Sequence, residues 1–245
     1  LSRVPARRLT AFAGGIAILA LAAGPADARR RPEYAPGVGT ANPSALVAAE
    51  IAFARTAREK GQWKAFDEFA DDEAVMFVPE PVRARDWLSG RKEPAAPVQW
   101  QASQVWMSCD GTLGVTKGGW QQPDGSVGYF TTIWQRRKKG DYRWVLDQGD
   151  TLPPAQAVPN SDTLSASVAD CARPGERSEP EALVVEGKAP KTAPGMDGKG
   201  RSKDGTLRWS YHVNADHSRS LSVSLLKNGT MTEVLRSDVA APKAQ

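Results

Sequence analysis

The chain has 245 residues, 40% hydrophobic and 24% charged, ordinary values for a globular protein with room for one large domain or two small ones. Its net charge of +4 falls to +2 once residues 1–28 are set aside, and no basic stripe runs through its aromatic strands, so nothing points to nucleic acid. Two histidines, His212 and His217, far from the aromatic centre of the sequence, argue against a histidine triad or a multi-histidine metal site there.

Arg3, Arg7 and Arg8 precede a small, apolar run from Leu9 to Gly24 that only Thr10 interrupts, and Ala26-Asp27-Ala28 puts small residues where a signal peptidase reads. Residues 1–28 are expected to be a secretory signal peptide cleaved after Ala28. Sixteen residues rich in Ala and Gly fall short of the ~20 needed to span a bilayer, so no stable membrane anchor is expected. The protein would then be periplasmic or secreted. Residues 29–43, with their Arg, Pro and Gly, read as a flexible leader.

Asn42-Pro43 opens a helix, Asn as N-cap and Pro at the first helical position, and Gly61 stops it after Lys60. Leu46, Ala49, Phe53 and Ala57 form its apolar stripe. Glu50 lies against that stripe, either as a border residue reaching solvent or as a carboxylate pointing into a pocket. A second helix runs from Gln62 to Ala70, with Trp63, Phe66 and Phe69 on one side. Ala74 to Val78 is a short strand that Pro79 and Pro81 end, Arg85 to Ser89 one helical turn, and Gly90 to Pro97 a loop.

Val98 to Asp150 is the organising stretch: four strands joined by turns. The first, Val98 to Ser108, loses its alternation near Ala102–Gln104, which predicts a bulge or bend. Asp110-Gly111 turns it into Thr112 to Gln121, and Pro123-Asp124-Gly125 turns that into Ser126 to Arg136. In this third strand Val127, Tyr129, Thr131 and Ile133 share one face, and Phe130, Thr132 and Trp134 the other. The fourth, Tyr142 to Asp150, divides by alternation into Tyr142, Trp144 and Leu146 against Val145, Asp147 and Gly149. Apolar residues on both faces mean that both faces are at least partly covered.

The C-terminal half opens on the Pro-rich Leu152–Pro159. Ser161 to Asp170 reads as a short helix or strand, Ala182 to Glu186 as a strand, and 188–203 as a flexible loop. Thr206 to Val213 and Leu221 to Leu226 alternate, and Asn228-Gly229 is a hairpin signal into Met231 to Val239. This is a small antiparallel sheet that needs something to pack on, the rest of the chain or a partner. No internal repeat stands out.

Several of these pieces carry a resemblance. They are Glu50-Ile51-Ala52-Phe53-Ala54, Gly61 and Phe66 leading to Asp72-Glu73-Ala74-Val75, and Pro79-Glu80-Pro81-Val82. Leu113-Gly114-Val115-Thr116 with Gly119-Trp120, Tyr129 to Trp134, and Trp144 to Gly149 complete the set. Residues 44–151 resemble the NTF2-like superfamily, and within it the SnoaL-like, DUF4440-type domains. The resemblance implies an α+β cone, a curved antiparallel sheet wrapped on N-terminal helices, over 44–152. The small antiparallel β segment would then lie in an extension, 153–245. The superfamily includes isomerases, cyclases, dehydratases and members without catalysis, so the resemblance specifies a fold and not a reaction. The isomerases' aspartate base and acid tyrosine–aspartate pair have no residue-by-residue match in this sequence.

No phosphate loop, nucleophile elbow or zinc motif occurs, and no cofactor or metal is expected. What remains is carboxylate chemistry. Asp147 is the candidate catalytic base, because a carboxylate on a dry wall would have a raised pKa; otherwise it bonds a backbone group or an arginine and holds the strand end. Glu50, Trp120, Tyr129, Trp134 and Asp147 are the candidate ligand contacts, the aromatics serving as core if they are not pocket walls. Cys109 and Cys171 are expected to form a disulfide in an oxidising compartment. Three functions follow: an exported binder of a small apolar or aromatic ligand without catalysis, a lyase or isomerase using Asp147, or an envelope interaction module using the C-terminal sheet. The expected partners are that ligand and a second copy docked through the cone sheet.

Overall fold

The computed structural model describes residues 40–153, 163–171 and 195–242. The expected signal peptide, residues 29–39 of the leader, the strand Ala182–Glu186 and the first part of the 188–203 loop lie outside the described residues. Asn42 caps helix α1 (Pro43–Lys60) through its side chain, which accepts from Ala45 N at 3.2 Å. Gly61 ends that helix and opens α2 (Gln62–Phe69). The leader's last residues are pinned: Ala41 N donates to Cys109 O, and the Thr40 hydroxyl to Asp110 O.

Next come β1 (Ala70–Phe77), β2 (Pro81–Arg83), α3 (Ala84–Leu88), β3 (Gln99–Met107), β4 (Leu113–Gln121), β5 (Val127–Arg136), β6 (Tyr142–Leu152) and β7 (Ser165–Val168). They make one seven-stranded sheet, ordered β2-β1-β6-β5-β4-β3-β7. The meander β3–β6 is antiparallel throughout, but β1 joins β6 and β7 joins β3 in parallel. The expected antiparallel sheet is therefore a mixed one, because strands outside the meander add to its two edges. The bulge at Ala102–Gln104 is present, with Ser103 as the extra residue.

Regular alternation fails in β6. Ile133 pairs with Leu146 and Trp134 with Trp144, so Val145 is a bulge. Trp144 consequently faces the helices while Leu146 faces away. Asp147, paired with Thr132, returns to the helix side. The simple division of β6 into two faces is corrected accordingly: one extra residue puts Trp144 and Asp147 on the same side.

The inner face packs on the helices through Leu46, Phe53, Ala57, Trp134 and Trp144, all nearly inaccessible. Phe53 is the hub, with ring centroids 4.9 Å from Phe66 and from Trp100 and 5.9 Å from Trp134. Edge-to-face contacts of this kind add to simple burial.

The outer face carries Trp106, Leu113, Val115, Ile133 and Leu146. Against it lie Leu207, Val223 and Leu225 of a second sheet, ordered β11-β10-β9-β8 from β8 (Asp197–Arg201), β9 (Leu207–Val213), β10 (Arg219–Lys227) and β11 (Thr230–Val239). β8 falls inside the segment expected to be loop: Asp197–Arg201 pairs with His212–Arg208. At Asn228-Gly229 both residues have positive φ, 51° and 76°, the turn that a two-residue hairpin needs. The chain's own C-terminal sheet thus lies on the outer face of the cone sheet.

The two sheets are also locked at one corner. Ser108-Cys109-Asp110-Gly111-Thr112-Leu113 and Ser202-Lys203-Asp204-Gly205-Thr206-Leu207 are the same turn sequence but for one residue, so a short repeat does exist. In each turn the Ser hydroxyl donates to the Asp two residues on, at 2.7 Å in the first and 2.5 Å in the second. The turns then bond each other reciprocally. Asp110 N donates to the Asp204 carboxylate at 2.8 Å and Asp204 N to that of Asp110 at 3.0 Å. Cys109 N donates to Thr206 Oγ1 and Lys203 N to Thr112 Oγ1. A disulfide joins Cys109 to Cys171 beside this corner, with the Cα atoms 5.3 Å apart.

Candidate active site

Between the inner sheet face and the two N-terminal helices lies a cavity of about 320 Å³. Phe53 of α1, Gln62 and Phe66 of α2, Val98, Trp100 of β3, Trp120 of β4, Phe130 and Thr132 of β5 and Asp147 of β6 line it, with Gln122 and residues 148–151 towards the ends of β4 and β6. Trp120 is held by its ring N–H, which donates to Tyr129 O at 2.9 Å. Gly128 makes room for that ring, because a Cβ there would collide with Trp120 and with the Asp150 carbonyl.

Asp147 stands in the wall of this cavity. Its Oδ1 accepts a hydrogen bond from the Thr132 hydroxyl at 2.6 Å. Among the described residues neither an arginine nor a backbone donor bonds it, so the strand-holding alternative does not describe it. Burial raises its pKa to about 7; the Thr132 bond opposes that rise and the charge of Glu50 adds to it. The carboxyl therefore changes protonation near neutral pH.

Glu50 is buried, at 3% exposure, and is neither a solvated border residue nor a wall of this cavity. It accepts from Trp100 Nε1 at 2.8 Å and from Thr116 Oγ1 at 2.6 Å. Trp134 Nε1 in turn donates to Thr116 Oγ1 at 3.0 Å. Desolvation raises the Glu50 pKa against these bonds. Its place is behind Trp100, fixing that ring as a pocket wall.

Trp120 and Asp147 are thus in the cavity wall, and the other three candidate contacts, Glu50, Tyr129 and Trp134, are not. Tyr129 points to the outer face, where its hydroxyl meets Ser237 Oγ at 2.9 Å. Its strand parity with Ile133 sends it towards the C-terminal sheet, away from this cavity. Trp134 is on the inner face but fully buried under Phe53, so it is core. Phe53, Phe66, Trp100, Phe130 and Thr132 line the cavity without having been singled out for it. The apolar stripe of α1 and the 3-residue spacing of α2 carry the signal for the first two, and the Phe130–Thr132–Trp134 face for the last two.

His212 and His217 lie in the C-terminal sheet; His212 pairs with Asp197 at 2.6 Å on an exposed surface. Among the described residues no cluster of side chains could hold a metal ion. No helix among them is long and apolar enough to cross a membrane.

The chain is similar in structure to a candidate ketosteroid isomerase from Parabacteroides distasonis, at 14% identity and a TM-score of 0.37, over 44% of this chain and 88% of that one. It is similar also to a candidate aromatic ring hydroxylase from Novosphingobium aromaticivorans, at 14% identity and a TM-score of 0.34, over 45% of this chain and 89% of that one. No family model matches the sequence, and no curated protein matches it.

Proposed function

We propose that the chain is an exported NTF2-like protein of the SnoaL-like, DUF4440 type whose cone binds a small apolar or aromatic ligand. The observation that carries this reading is the cavity itself: about 320 Å³, walled by five aromatic rings, with two aspartates, Asp147 and Asp150, in its lining. Pockets of this size, mostly apolar with a few placed polar groups, are the usual form of small-molecule sites. The C-terminal sheet covers the opposite face of the cone sheet, and none of the described residues plugs the cavity, which favours this reading over a purely interacting envelope module. Residues 1–28 would serve as the signal peptide, and the Cys109–Cys171 bond suits an oxidising compartment. The test is mass spectrometry of organic extracts from the exported protein. A bound apolar molecule near one per chain, largely lost in Trp120→Ala, is expected; identical extracts from both proteins would overturn the reading.

A second reading, a lyase or isomerase with Asp147 as general base, is favoured by one observation. A carboxyl with a pKa of about 7 is well matched to removing a proton from carbon at neutral pH. Among the described residues Thr132 alone bonds it, through Oδ1, which leaves the second carboxyl oxygen available to a ligand. Solvent-deuterium exchange into a bound carbonyl compound, lost in Asp147→Asn, would separate catalysis from simple binding.

A further inference from the structure

We infer that the cone cavity selects a ligand with a flat apolar body and a protonated amine, and discriminates against carboxylates. The inference rests on the pocket reading above and adds the charge of its occupant. Three observations carry it. First, no lysine, arginine or histidine is among the described residues lining the cavity. Arg219, the basic group near Gly149, reaches the carbonyl of Gly149 and the side chain of Gln148 from the outer, C-terminal sheet. Second, among the described residues Asp147 and Glu50 have no basic partner, while Asp150, towards the cavity's end, lies near Arg219. Among the described residues Asp147 bonds the neutral Thr132 hydroxyl, and Glu50 the neutral donors Trp100, Thr116 and Trp134. Third, the walls are Phe53, Phe66, Trp100, Trp120 and Phe130, and aromatic faces attract cations.

An anion entering this cavity meets like charge and no counter-ion. A neutral ligand finds apolar contact and one hydrogen-bonding carboxyl. An ammonium group finds all of these and a charge-assisted bond to Asp147, which its own charge would keep ionised. The free Asp147 oxygen and the surrounding rings together form a cation site whose apolar floor holds the rest of the molecule.

The experiment is isothermal titration calorimetry of the full exported chain, near neutral pH, with three probes of one shape: naphthylmethylamine, naphthalenemethanol and naphthoate. The amine should bind about tenfold more tightly than the alcohol, the gain of a charge-assisted over a neutral hydrogen bond, and the acid most weakly. Asp147→Asn, nearly isosteric, should keep the alcohol's affinity and remove the amine's advantage. An acid that binds as well as the amine, or an amine advantage that survives in Asp147→Asn, overturns the inference while the pocket stands. Failure of all three probes to bind overturns the pocket reading with it.

Discussion

Asp147→Asn should stabilise the protein, and only above a certain pH. The folded-state pKa of Asp147 is raised from 3.8 to about 7 by burial. A raised carboxyl pKa means that the folded state binds the proton more tightly than the unfolded chain does. Stability from this group is fully present below the unfolded pKa and is lost as pH rises through the folded one. Across about three pH units, at roughly 1.4 kcal/mol per unit, the loss is about 4 kcal/mol; because Asp147 is only partly buried, solvent screening brings it nearer to about 2–3 kcal/mol. Asparagine keeps the shape and an acceptor for the Thr132 hydroxyl but has no charge to bury. Urea unfolding of both proteins, with the disulfide intact, should give similar midpoints near ~pH 4, with the variant ahead by this amount near ~pH 8. A stability difference of the same size at both ends would refute the reasoning, because it would be packing and not ionisation.

Glu50→Gln removes a charge that raises the Asp147 pKa, so the Asp147 titration midpoint should move down, read by carboxyl NMR. Glu50→Leu leaves Trp100 Nε1 and Thr116 Oγ1 without their acceptor and should cost about 2–3 kcal/mol in urea unfolding. Gly128→Ala drives a methyl group into Trp120 and should destabilise by about 1–3 kcal/mol while shifting tryptophan emission. Cys109→Ser with Cys171→Ser opens a loop of 62 residues and should cost at most about 4 kcal/mol by the chain-entropy argument, measured by thermal or urea unfolding.

What was legible in the sequence was what is local. Asn42-Pro43 and Gly61 bound α1 because capping is decided within a turn. The broken alternation at Ala102–Gln104 is the β3 bulge, and Asn228-Gly229 the β10–β11 turn. Pairings between distant strands were not legible: nothing in Ala70–Phe77 says that it will lie parallel to β6. Nor does the composition of Asp197–Arg201, with its two glycines and three charges, mark a strand; pairing with β9 holds it.

The site was half legible for the same reason. Asp147 stood out as a carboxylate among apolar residues, but its partner did not. Running the β5–β6 hairpin back from its turn without the Val145 bulge would set Thr132 opposite Leu146. With the bulge, Thr132 meets Asp147. Tyr129 and Trp134 were read as pocket aromatics because residue type does not tell which of two buried layers a ring joins. The C-terminal sheet gives the outer face its own core, and Tyr129 belongs to that. The turn repeat at Ser108–Leu113 and Ser202–Leu207 was in plain view, yet six residues 94 apart signify little until their backbones are seen to bond each other.

The central claim is that the cone encloses a carboxyl poised to change charge at neutral pH inside an aromatic cavity. Carbon-13 NMR titration of the aspartate side-chain carboxyls, with Asp147→Asn to assign the resonance, tests it most directly. The account predicts that the Asp147 signal titrates with a midpoint of about 7. A midpoint near the ordinary aspartate value of ~4 would mean that the group is solvated and the cavity is not the site described.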